Sequence, residues 1–171
     1  MAGTLSVSHI QGLATHSSPT TVSVQSGHTL HAPGHIIQVI QGLANSAVFS
    51  NSGTYASTGL TATISPKFSS SKILVHVEQQ GCAAVLMSTG SINMRLQRNS
   101  SDIHKFAIAY WYSPQSNQLR GPISTSYLDS PATTSATVYR TTFAANDGGS
   151  CYVQNDNANS VSTITLMEIK Q

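Results

Sequence analysis

The sequence predicts an all-β domain of the sandwich or barrel kind, and three observations carry this. Short apolar–polar alternations recur along the chain, turn residues separate them at regular intervals, and no segment has a convincing helical period. Composition agrees. Hydrophobic residues make up 39% and charged residues 8% of the 171 positions, the latter about a third of ordinary usage. Ser and Thr supply roughly a quarter of the chain while Lys and Glu are scarce, a balance that favours strands and turns over helices. The formal net charge of +2 argues against disorder, which pairs low hydrophobicity with high net charge.

The elements follow in order. Thr20 to Val24 alternates Val22 and Val24 with polar residues, and Ser26-Gly27 makes a turn. After Pro33-Gly34, His35 to Gln41 (HIIQVIQ) reads as a strand apolar enough to be buried on both faces or to sit at an interface. Ala44 to Thr58 reads as a polar loop. Leu60 to Ser65 alternates cleanly and Pro66 ends it. Lys72 to Gln80 sets Ile73, Val75 and Val77 against Leu74, His76 and Glu78, a half-buried strand that runs on through Gly81 to Met87. Ser91 to Arg98 sets Ile92, Met94 and Leu96 against Asn93, Arg95 and Gln97, and His104 to Tyr112 places Phe106, Ile108 and Tyr110 on one side. Ile123 to Leu128, Ser135 to Phe143, a short strand around Cys151 to Val153, and Ser162 to Ile169 complete the set. The last is expected beside HIIQVIQ.

Charge is unevenly placed. No Lys, Arg, Asp or Glu occurs from Met1 to Pro66, and five of the seven histidines, His9, His16, His28, His31 and His35, fall inside that stretch. An uncharged segment rich in Ser, Thr, Gly and small apolar residues suits docking on another protein surface, with Ile10, Leu13, Val22, Val24 and Leu30 as anchors. Residues 1–34 are therefore expected to be an extended attachment arm and 35–171 a β-sandwich head. Low surface charge leaves sheet edges and apolar faces to be covered, which cyclic association does, so a trimer is expected.

Several classes find no support in the residues. The eight Lys and Arg are scattered and never adjacent, so there is no basic stripe for nucleic acid. No 18-residue apolar run and no basic N-terminal leader is present, so the expectation is synthesis in a cytosol without a membrane span. Cys82 and Cys151 are then expected as free core thiols. His28, His31 and His35 invite a metal reading, yet Pro33-Gly34 breaks the helix that would align them, and in a strand His28 and His31 face oppositely. Only a threefold axis could gather them, and no cofactor or metal is expected. No GxSxG elbow accompanies the 27 serines, and no carboxylate pair stands out among Glu78, Asp102, Asp129, Asp147, Asp156 and Glu168. The expectation is a protein that is not an enzyme. Tyr110, Trp111 and Tyr112 form the one aromatic cluster, suited to packing at an interface or to stacking on a sugar.

TTVSVQSGHTL, APGHIIQVIQ, TGLTATISPKFSSSKILVHV, YLDSPATTSATVYRTTF and the closing STITLMEIKQ, in that order, resemble a class of virion structural proteins of tailed phages, many from marine phages and cyanophages. The resemblance implies an antiparallel jelly-roll head similar to the C1q and tumour-necrosis-factor head, forming a homotrimer in the virion after assembly in the host cytoplasm. It further implies attachment to a major capsid protein or a tail protein through the arm. With no fibre shaft, a capsid decoration (cement) protein or short spike is expected; the alternative is a receptor-binding tail-fibre tip touching host glycans.

Overall fold

The structure is a computed structural model that describes residues 32–85, 91–111, 119–146, 149–155 and 160–171. The chain divides into two units, Met1–His31 and Ala32–Gln171, and every described residue belongs to the second. The expected strand at Thr20 to Val24, the arm anchors Ile10, Leu13, Val22, Val24 and Leu30, and His28, His31 and Tyr112 lie outside the described residues.

Ten strands are formed among the described residues: β1 Ile36–Ala44, β2 Val48–Ser50, β3 Ala56–Ile64, β4 Lys72–Val85, β5 Ser91–Arg98, β6 Ser101–Tyr110, β7 Leu119–Asp129, β8 Thr137–Asn146, β9 Ser150–Val153 and β10 Ser162–Ile169. Every pairing is antiparallel. The pairs nest: β5 with β6, β4 with β7, β3 with β8, β2 with β9 and β1 with β10. The chain therefore runs as one long hairpin, turned over between β5 and β6 and folded across two sheets. The closing strand does lie beside HIIQVIQ, with Val39 opposite Met167 and Gln41 opposite Thr165.

Sheet I has β4 at its centre. Ile73 to Glu78 pair with both β10 and β7, and Ala83 and Ala84 with both β9 and β7. β7 therefore occupies one edge of β4 while β10 and β9 follow each other along the opposite edge, with β1 and β2 outside them. Sheet II runs β3-β8-β5-β6. Between them lie two apolar clusters. One holds Leu60, Ile64, Ile73, Val75, Val77, Leu96, Tyr139, Ile164 and Leu166; the other holds Cys82, Ile92, Met94, Ile123, Phe143, Cys151 and Val153. Both cysteines are buried thiols outside any disulfide, and burial pushes the Cys151 thiol up to about 12.

A polar bridge crosses the core. The Gln79 amide donates to Ser162 Oγ at 2.9 Å, and Thr141 Oγ1 donates to Gln79 Oε1 at 2.9 Å. Thr58 Oγ1 meets Thr141 Oγ1, and Gln80 N donates to Ser162 Oγ at 2.9 Å. Gln79 and Ser162 stand on sheet I, Thr58 and Thr141 on sheet II, and all four are buried. Satisfied on both sides, these groups fix how the two sheets meet, because a slip would strand buried polar atoms.

Three other contacts close the sandwich. At the β1 and β3 edges, a Cβ on Gly42 would lie 1.9 Å from Thr61 O, so only glycine lets the two backbones meet. At one end Asp129 of β7 accepts from Tyr139 Oη at 2.7 Å and from Arg98 Nη1 at 3.0 Å to each carboxylate oxygen, joining the sheets. Buried Glu168 accepts from Gln38 Nε2 and from the backbone N–H groups of Lys67 and Phe68, pinning the turn after β3 to β10.

Three expectations are corrected. The loop Ala44 to Thr58 contains β2 and the start of β3, because Val48 and Phe49 gain partners on β9 that local propensity does not foresee. Of the two expectations for β1, burial on both faces does not hold, since Val39 is 55% and Leu43 62% exposed. Phe106, Ile108 and Tyr110 do not share one face. The ladder to β5 shifts register and Ala109 has φ of 48°, which buries Ala107 and leaves Ile108 71% exposed.

Candidate functional site

The two sheets turn different surfaces outward. On sheet I, β1, β10, β4 and β7 are in register such that Val39 stands opposite Met167, Met167 opposite Leu74, and Leu74 opposite Leu128. Side chains at paired positions share a face and lie within contact of one another, so these four make a continuous apolar row over three strand spacings, roughly 15 Å. Ile36 and Ile169, paired with each other, flank it on one side in a row that continues to Lys72. Val39, Leu128 and Ile36 are each about half exposed. The next row is polar but uncharged apart from its histidine: Gln41, Thr165, His76 and Ser126. Gln41 Nε2 donates to Thr165 Oγ1 at 3.2 Å, and His76 Nδ1 lies 2.9 Å from Ser126 Oγ. A third row holds Leu43, Thr163, Glu78 and Ser124.

Sheet II faces outward with charge. Arg140 Nε donates to Gln97 Oε1 at 2.9 Å, Gln97 Nε2 donates to Asp102 Oδ1 at 2.8 Å, and Arg95 Nη1 pairs with Asp102 Oδ2 at 2.5 Å. The Arg95 guanidinium lies 3.4 Å over the Tyr55 ring. The Gln97 amide and the Arg95 charge hold the Asp102 carboxyl below its ordinary value despite some desolvation. These charged and polar groups pair with one another over most of the face, although Arg95 Nε is buried without a hydrogen-bond partner. Sheet I presents apolar side chains with few charges around them, a surface suited to another protein.

Of the expected aromatic cluster, Tyr110 and Trp111 stay together, their rings 5.2 Å apart and tilted. Tyr110 is exposed on β6, while Trp111, with φ of 63°, is half-buried against the second core cluster and its ring lies over Gly121 of β7. Further along the β6–β7 seam, His104 stacks on Tyr127 at 5.0 Å and sits 3.1 Å from Thr125 Oγ1. His35 is placed with Nδ1 against Ala32 O.

Among the described residues no three His, Cys, Asp or Glu side chains gather as metal ligands would. A hollow between Leu43–Ser46 and Thr58–Gly59 has a volume of about 240 Å³, below the span typical of small-molecule sites. The apolar row is the feature the sequence does not display, since Val39, Leu74, Leu128 and Met167 are far apart in the chain. Its only linear trace is one apolar residue at an outward position on each of four strands. No family model and no curated protein matches the chain.

Proposed function

We propose that the chain is a non-enzymatic structural protein of a tailed-phage virion: a homotrimeric jelly-roll head that closes on the outer face of sheet I, attached by its N-terminal arm as a capsid decoration protein or short spike. The observation that carries self-assembly is the apolar row Val39–Met167–Leu74–Leu128, set against the charged surface of sheet II. Identical copies fit it because the face is uncharged over most of its area, and a closed ring covers one such patch on every subunit. The nested strand order supports the jelly roll, a hairpin folded over two sheets. The phage setting rests on the resemblance in sequence.

The test uses particles stripped of this protein, with the intact chain and a chain beginning at Ala32, where the described unit starts. The intact chain should co-sediment with the particles, and the shortened one should stay in solution with its oligomeric mass unchanged. Binding by both would remove the arm from the account; binding by neither would remove the virion role.

Exposed Ile108 and Tyr110 on β6, the outermost strand of sheet II, favour one second reading, a fibre tip that meets host glycan there. It requires the isolated chain to bind host cells and Tyr110→Ala to lose that binding.

A further inference from the structure

One corner of sheet I is held by short ladders. Among the described residues β9 pairs with β4 through Ala83, Ala84 and Val85, and β2 pairs with β9 through Val48, Phe49 and Ser50. β10, by contrast, pairs with β4 from Thr163 to Ile169 and with β1 along its whole length. Apolar burial holds the corner shut: Cys151 and Val153 are fully buried in the second core cluster, and Val48 packs against it.

A latch follows β9. β4 bulges between Gln79 and Cys82, and Gly81 has φ of 56°. The next turn of chain docks on this bulge, Gln154 N donating to Gln80 O at 2.9 Å and Asn155 N to Gly81 O at 3.0 Å. A Cβ on Gly81 would lie 2.5 Å from Asn155 N, so the seat needs glycine. Arg120 Nη1 donates to Asn155 O at 3.1 Å and completes it. The latch closes against a penalty. Gln154 has φ of 52° and is 2% exposed, and neither its Nε2 nor its Oε1 has a hydrogen-bond partner among the described residues. A left-handed backbone at a residue that carries a Cβ, and a buried amide without partners, are both relieved when the segment swings into water.

Bonds to the rest of the sandwich mark where such a motion ends. Beyond β2, Ser52 O accepts from Ala145 N at 2.9 Å; beyond the latch, Ser162 Oγ is held by Gln79 and Gln80. We infer that β2, β9 and the Gln154–Asn155 latch open as one hinged corner while the two sheets stay folded, baring the second apolar cluster at Cys151. The seat at Gly81 favours the closed corner, and the stranded Gln154 amide favours the open one.

Thiol labelling reads the opening, on the full chain carrying Cys82→Ala so that Cys151 is its one thiol. A maleimide attacks through the thiolate, which burial suppresses in the closed corner. Cys151 should label far faster than the chain unfolds globally, with only a weak dependence on urea below the unfolding transition, because a small opening exposes little surface. Gln154→Met keeps the shape, removes the amide and should slow labelling by about tenfold or more. Gly81→Ala should hasten it by about tenfold or more. In the chain without substitutions, β9 amides should exchange hydrogen ahead of those of Ile73 to Val77 on β4. Cys151 labelling that follows global unfolding in rate and in urea slope overturns the hinged corner, as does β9 exchange no faster than that of β4. A Gln154→Met protein that labels as fast as its parent overturns the part given to the amide. Should Gly81→Ala fail to fold, the Gln154→Met rate and the exchange order decide the matter by themselves.

Discussion

Thr141→Val perturbs the polar bridge while keeping the shape of the side chain. In the native protein the Thr141 hydroxyl donates to Gln79 Oε1 at 2.9 Å and meets Thr58 Oγ1. Valine leaves Gln79 Oε1 in a fully buried site without its donor, whereas Thr58 Oγ1 keeps a bond to Thr141 O at 3.2 Å. One neutral hydrogen bond contributes about 1 kcal/mol, and an acceptor stranded in the core adds 1–3 kcal/mol. A loss of about 2 kcal/mol follows, or roughly 4–8 °C in Tm for a chain of this length. Gln79→Leu added to Thr141→Val removes the stranded acceptor, so the double variant should be more stable than the sum of the two single losses by about 1 kcal/mol or more. Urea unfolding followed by circular dichroism, at one fixed protein concentration because assembly shifts apparent stability, measures the cycle. A single-variant cost under about 0.5 kcal/mol, or strictly additive losses, would refute the claim that this network joins the sheets.

Gly42→Ala should destabilise by about 3 kcal/mol or more, since the added methyl meets backbone at Thr61 rather than a side chain that can turn aside; thermal unfolding reads this directly. Tyr139→Phe should cost about 1–2 kcal/mol at neutral pH, where Asp129 retains Arg98. Burial, with the bond to Asp129, raises the Tyr139 phenol well above its ordinary value of 10.0, so the folded state keeps a proton that the unfolded chain releases. Stability from this group is therefore present below about pH 10 and lost as pH rises beyond it, and Tyr139→Phe should flatten that alkaline decline in unfolding curves taken from pH 8 to 11.

Much of the sandwich is legible along the chain because each central strand buries one face. Ile73, Val75 and Val77 against Leu74, His76 and Glu78, and Ile92, Met94 and Leu96 against their polar neighbours, occupy the faces their alternation predicts. What alternation cannot supply is the pairing that creates context. β2 exists through β9, a partner about a hundred residues away in sequence, and the bulged end of β6 departs from period two. Asp129 reads as an ordinary turn carboxylate; the fold buries it beneath Tyr139 and Arg98. The apolar face illustrates the same limit. Leu74 looks like one more hydrophobe in a rich strand, and only register places it between Met167 and Leu128.

Self-association through that face is the central claim, and native mass spectrometry of the intact chain with Leu74→Glu tests it most directly. Leu74 lies in the middle of the row on the outer side of sheet I, so a carboxylate there faces away from the core and opposes covering without emptying the interior. Near pH 7.5 the wild type should appear at about 54 kDa, three times the 18.0 kDa chain, and Leu74→Glu at 18.0 kDa with its strands retained. A wild type at 18.0 kDa, or a Leu74→Glu protein that still assembles, would contradict it.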